Sequence, residues 1–128
     1  MFLVEIVTLL ALLQFFGFGI MVGRARGKYG VNAPAVTGHE NFERVHRVQM
    51  NTLELLVMFL PALWIAANYA SPAIVSGLGC LYLAGRLVYF QAYTSNPAKR
   101  GPGFGLSVLP IMILIVIGLL GAISAAIA

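Results

Sequence analysis

Arg47, Asn51 and Glu54 follow one another at steps of four and three residues, so a helix puts a cation, an amide and a carboxylate on one stripe. Arg86, Tyr89 and Tyr93 repeat that spacing later in the chain. Both stripes lie beside strongly apolar sequence: ENFERVHRVQMNTLE, which holds three of the four acidic residues, runs straight into LLVMFLPALWIAA. An ionisable side chain at membrane depth costs at least ~2.5–3.5 kcal/mol unless it is paired or wetted. The two stripes are therefore expected to face each other or a shared cavity. Arg26, Arg47, Asn51, Glu54, Tyr89, Tyr93 and Arg100 together offer a cationic excess, an amide, one carboxylate and phenol donors. Such a set suits an anionic ligand that also carries an ammonium group. A plainer reading accounts for single residues, with Glu54 and Arg86 neutralising each other and the tyrosines forming an interfacial belt. It leaves the set as a whole unexplained.

The elements that must carry these residues are membrane spans. The 128 residues are 60% hydrophobic and 9% charged, with a mean hydropathy of +0.92. A soluble domain carries nearer a quarter charged residues. Apolar segments cover residues 2–22, 51–69, 73–93 and 105–128, each close to the ~20 residues that cross ~30 Å of hydrocarbon as a helix. A strand architecture would need many short alternating segments, or leave backbone groups unpaired in lipid. The expected fold is an all-α integral membrane protein, a single domain over 1–128 built as a four-transmembrane-helix bundle. Its helices are placed at about 2–22, 38–69, 73–94 and 103–127.

Local signals set the ends. Thr37-Gly38-His39-Glu40 has capping-box spacing, which starts helix 2 near residue 38, outside the bilayer. Ser71-Pro72 and Asn96-Pro97 are helix-start signals. Pro61 removes a backbone hydrogen bond inside helix 2 and is expected to kink it. The first segment has no basic residues before it, so it reads as a retained span rather than a signal peptide.

The net charge of +4 follows from topology. Arg24, Arg26, Lys28, Arg44 and Arg47 flank the first connection, Lys99 and Arg100 the third, and the turn near residues 68–72 has none. The basic connections then face the cytoplasm, with both termini on the opposite side. No basic run with interleaved aromatics points to nucleic acid. Two histidines, His39 and His46, without neighbouring cysteines form no metal set. His39 reads as a loop residue, and His46 lies about 100° from the Arg47 stripe, on a surface. The lone Cys80 sits in an apolar run and reads as a small buried hydrophobe.

FERVHRVQMNTLE followed by GRLVYFQAYTSNPAKR resembles the MAPEG family, the membrane-associated proteins in eicosanoid and glutathione metabolism. The match to its glutathione-conjugating members covers nearly the whole chain, and FERV-x-R-x-Q-x-N-x-x-E with R-x-x-YFQ-x-Y is a long, ungapped pattern. The resemblance implies a homotrimer of four-helix subunits that holds glutathione as co-substrate between neighbours near the cytoplasmic face. It implies Arg26 and Arg47 as partners of the glutathione carboxylates, Asn51 and Glu54 as contacts to its backbone and amine, and Gln49 as a further hydrogen bond. Tyr89 and Tyr93 match the tyrosines that close the site, and Arg100 matches the catalytic arginine beside the thiol. Three positions depart from the family's synthase pattern: Gly27 replaces a second arginine, whose role is empty or falls to Arg24 or Lys28, and Leu55 and His46 replace tyrosines.

A guanidinium beside the thiol lowers its pKa by ~1–3 units from ~8.5, which makes the thiolate available near neutral pH. The activity implied is that of a glutathione S-transferase acting on lipophilic electrophiles, with reduction of lipid hydroperoxides as a companion reaction. The apolar second substrate arrives from the membrane lipid. Two other readings stand beside it: a non-catalytic lipid-binding member of the same family, and a small four-helix multidrug transporter exchanging protons at a membrane carboxylate. The compact chain fits a bacterial inner membrane better than a microsomal one. Trp64, in the far half of helix 2, reads as core or interface.

Overall fold

A computed structural model describes residues 1–128. Four helices alternate in direction: α1 spans Phe2–Tyr29, α2 Glu40–Ala66, α3 Pro72–Ser95 and α4 Gly101–Ile127, with a 3-10 turn at Pro97–Lys99 before α4. All four are long and apolar enough to cross a membrane. Large apolar side chains such as Leu9, Leu13, Phe16, Val57, Leu87 and Leu120 cover the outside. That is the surface a bilayer accepts and water does not.

The inside is close-packed around Phe59 of α2 and Tyr82 of α3, whose rings stack 4.0 Å apart. Val4, Leu63, Val75, Ile111 and Leu114 surround them. Small residues bring α3 and α4 together. A Cβ added to Gly85 would fall 2.7 Å from the Ser107 backbone nitrogen. Gly103 and Ser107, four apart, give α4 the small face that close helix contact in lipid requires.

The helix ends differ from the sequence expectation in ways the local chemistry explains. α1 does not stop at the edge of its apolar run. It continues through Arg24–Tyr29, all but Gly27 tolerant of helix, until Gly30 takes the left-handed conformation at φ 70°. The expected capping box at Thr37 does not form, and α2 begins at Glu40. His39 is its cap, with Nδ1 accepting from the Asn41 amide at 3.1 Å, while Glu43 accepts from the Gly38 amide. His39 therefore does structural work that its loop position hides. α2 passes Pro61 without interruption. Asn96 caps the 3-10 turn rather than α4 itself, accepting from the Ala98 amide.

Cys80 corrects the sequence reading: it is exposed on the apolar outer face of α3, not buried. An all-apolar helix segment gives no phase by which composition alone could assign its inner side. Trp64 spans two helices, its Nε1 donating to Thr8 Oγ1 of α1 at 2.9 Å.

Candidate functional site

The polar residues of α2 divide between two faces. Phe42, His46 and Gln49 recur at steps of four and three on the side turned to α1. Phe42 is buried with Val22 and Ala25 of α1, and Gln49 lies against Gly19, where an added Cβ would meet its Nε2 at 3.1 Å. Arg26 joins this face. Its guanidinium sits 4.8 Å from the Phe42 ring centroid, and Nη1 donates to the Ala35 carbonyl at 2.6 Å. His46 is half-buried and stacks on Phe42. In the cytoplasmic extension of α2, its imidazole is held below the usual histidine value, first by burial and then by the nearby Arg26 charge.

Arg47, Asn51 and Glu54 occupy the other face. Arg47 Nη1 lies 3.8 Å from Glu54 Oε1, with both side chains more than half exposed. The Glu54–Arg86 pair weighed from sequence does not form. Glu5, Glu40, Glu43 and Glu54 are all exposed, so no buried carboxylate is present for proton exchange within the bundle, the feature a proton-driven transporter would use.

Arg86 is fully buried, about nine residues or roughly 14 Å below the end of α3 at Ser95. Its Nη1 donates to Asn51 Oδ1 at 2.7 Å and Thr52 Oγ1 at 3.2 Å, and its Nε to Ser107 Oγ at 2.9 Å. The hydroxyls suit this role. Thr52 donates to the Val48 carbonyl and Ser107 to the Gly103 carbonyl, so each turns a lone pair to the guanidinium. The guanidinium also lies 4.4 Å from the Tyr89 ring centroid.

In front of this network is a cleft of about 540 Å³ lined by Arg47, Asn51, Tyr89, Tyr93, Arg100 and Phe104. Tyr89 and Tyr93 stack at 5.5 Å, and Phe104 tilts against Tyr89 at 6.2 Å. Arg100 is exposed, held at the end of the 3-10 turn by a bond from Nη1 to the Pro97 carbonyl at 3.0 Å. The first turn of α4 borders the cleft, so its unpaired amides add a partial positive charge there. Two exposed guanidiniums, one loosely paired with Glu54 and one bonded to a single carbonyl, together with an amide and two phenols can hold an organic anion.

Of the eight residues that the resemblance assigns to glutathione, five line this cleft: Arg47, Asn51, Tyr89, Tyr93 and Arg100. Glu54 borders it through Arg47. Arg26 and Gln49 lie across α2 from it. Arg24 and Lys28 line a separate cleft with Tyr29, Val45 and Phe90. Leu55 is part of the core. Thr52, Ser107 and Phe104 were not singled out, although Gly103-x-x-x-Ser107 is a sequence signal for close helix approach.

The family model of MAPEG matches residues 4–120. The chain belongs to the MAPEG family. Within it, the chain is 50% identical over 115 residues to an uncharacterized protein of Synechocystis sp., covering 90% of this chain and 84% of that protein. It is 40% identical over 119 residues to human microsomal glutathione S-transferase 2, covering 93% and 81% respectively. It is 33% identical over 118 residues to bovine leukotriene C4 synthase, covering 92% and 79%. The four apolar helices and the MAPEG match make this an integral membrane protein of the four-helix type.

Proposed function

We propose that this MAPEG protein is a glutathione transferase that ionises glutathione in the Arg47–Arg100 cleft and adds the sulfur to lipophilic electrophiles. The observation that carries the reading is the convergence of Arg47, Asn51, Tyr89, Tyr93 and Arg100 on one cleft at the basic end of the bundle. Similarity to microsomal glutathione S-transferase 2 and leukotriene C4 synthase supports the choice of thiol.

Each ligand group has a match. The glutathione carboxylates take the Arg47 fork and, in a trimer, Arg26 of a neighbouring subunit. The ammonium takes Glu54, and Asn51 and Gln49 take the peptide groups. Because Gln49 and Arg26 lie across α2 from the cleft, they act by closing the cleft of a neighbouring copy. Tyr89 and Tyr93 flank the peptide, and Arg100 sits beside the sulfur. The thiol loses its proton to solvent, and the guanidinium of Arg100 favours the resulting anion. The thiolate attacks the electrophilic carbon, a carbon–sulfur bond forms, and the leaving group departs with its electron pair. With a lipid hydroperoxide the same thiolate takes the terminal oxygen, releasing an alcohol, and a second glutathione reduces the sulfenic acid to water and disulfide.

The apolar substrate reaches the sulfur from the bilayer past Phe104. The site faces the cytoplasm because the basic connections lie at its end of the bundle. Adding glutathione to the purified protein near neutral pH is expected to raise the ultraviolet absorbance of the thiolate. No rise, together with no conjugation of an aryl halide, would overturn the reading in favour of a non-catalytic lipid binder.

A further inference from the structure

Arg86 has no carboxylate to balance it. It is fully buried, the chain's ion pairs are Arg44–Glu40 and Arg47–Glu54, and its Nη2 is buried without a hydrogen-bond partner. A buried charge with neutral partners only is costly unless something compensates it. Here the neutral partners are arranged in one sense. The guanidinium carries donors and no acceptor, so the Asn51 atom at 2.7 Å from Nη1 has to be the amide oxygen, whichever way an amide is drawn. The remaining polar atom of Asn51 is then Nδ2, which makes no hydrogen bond within the chain, and Asn51 lines the cleft. The amide thus meets a ligand as a donor. Behind it the same guanidinium lies against the Tyr89 ring, and Ser107 fixes Nε from α4.

We propose that Arg86 is a positioning residue that never touches the ligand: it locks Asn51 with its amide N–H toward the cleft and braces Tyr89, making the cleft selective for an anion. The inference rests on the proposed glutathione site and names what orients it. It also assigns a role to the buried positive charge. Bound anion in the cleft is the counter-charge that the chain itself lacks, so the field of Arg86 adds to those of Arg47 and Arg100 without a direct contact.

The test is a set of variants of the full-length membrane protein, followed by apparent melting temperature, KM and kcat for glutathione with an aryl halide, and the pH profile of bound thiolate. Asn51→Asp is the most informative. The carboxylate accepts from Arg86 as well as the amide did, so the melting temperature is expected to hold or rise. The cleft loses a donor and gains a negative charge, so KM for glutathione is expected to rise by roughly tenfold or more. Ser107→Ala removes one anchor of Arg86 far from the ligand, and KM is expected to rise about threefold with kcat at saturation unchanged. Arg86→Gln is expected to raise KM and shift the thiolate profile to higher pH, and Arg86→Lys to restore the profile in part. Should the Arg86 variants fail to fold, the other two still decide. Asn51→Asp binding glutathione as well as the unaltered protein would overturn the proposal, because the amide oxygen would then face the ligand. Unchanged KM and pH profile in folded Arg86 or Ser107 variants would overturn it too. If the unaltered protein binds no glutathione, the glutathione reading itself falls, and this inference with it.

Discussion

Gly103 lies directly on the backbone of Tyr89: a Cβ added to it would fall 2.5 Å from the Tyr89 nitrogen and 2.6 Å from its Cα. The contact ties the first turn of α4, which carries Phe104 and follows directly on Arg100, to the α3 residue at the centre of the cleft. Packed backbone cannot yield as a flexible side chain does, so the helices must separate to admit a methyl group. Gly103→Ala is expected to cost about 1–3 kcal/mol of stability. It should also raise KM for glutathione, because Tyr89 and Arg100 move apart. Thermal unfolding and steady-state conjugation rates measured together check this. The same substitution at Gly105, where an added Cβ meets nothing within 4 Å, is expected to leave KM unchanged and to hold or raise stability, because alanine is the better helix former.

Arg100 is exposed and pinned only through the Pro97 carbonyl, so its replacement should perturb chemistry without unfolding the chain. A guanidinium near a thiol lowers its pKa by ~1–3 units. Its loss is therefore expected to reduce the thiolate fraction at neutral pH by about tenfold or more. Arg100→Ala should show that fall in kcat, recovered as pH rises toward 8.5, with apparent melting temperature unchanged. An activity loss that high pH does not recover would assign Arg100 to binding rather than ionisation.

His46 sets an acid limit on stability. Burial and Arg26 hold its folded pKa below the ordinary value near 6.5, so the folded chain prefers the neutral ring. Stability from this group is complete above pH ~6.5 and declines as pH falls from there through the folded pKa, since the unfolded chain takes up the proton first. The apparent melting temperature is expected to drop over that window, and His46→Phe, which keeps the stack on Phe42, should flatten the drop.

The stripes of the site were legible because helical spacing is a property of sequence. Arg47, Asn51 and Glu54 had to share a face once α2 was a helix. The position of Gln49 was legible on the same ground, since two residues along a helix is about 200° of rotation from Asn51. Assigning Gln49 to the same ligand as the stripe came from the family pattern, which records what a ligand meets and not which side of a helix supplies it. Arg86 was visible as a polar residue in a span, but its partners were not. They depend on how deeply α4 settles against α3, which Gly85, Gly103 and Ser107 decide by lacking bulk. Small residues four apart signal a close helix approach, but not which helix approaches or which polar groups meet there. The orientation of Cys80 was hidden for a related reason: where every position around a helix is apolar, burial has no periodic trace.

The split between the two faces of α2 makes a prediction about assembly. Arg47 and Arg100 line the cleft of their own subunit, whereas Gln49 lies on the opposite face of α2, turned to α1, and Arg26 packs on that face from α1. If the ligand needs all four, each complete site takes residues from two copies of the chain. An assembly, in the proposed trimer, of Arg26→Ala/Gln49→Ala subunits alone, or of Arg47→Ala/Arg100→Ala subunits alone, is then expected to be nearly inactive. Co-expression of the two chains should restore activity, because in a mixed trimer some neighbouring pairs carry one intact half each. With random mixing the recovered rate is a fraction of the unaltered protein's, and it varies with the ratio of the two chains. Activity that never exceeds the two inactive parents would mean that each subunit acts alone. Arg26 and Gln49 would then serve only the packing of α1 on α2.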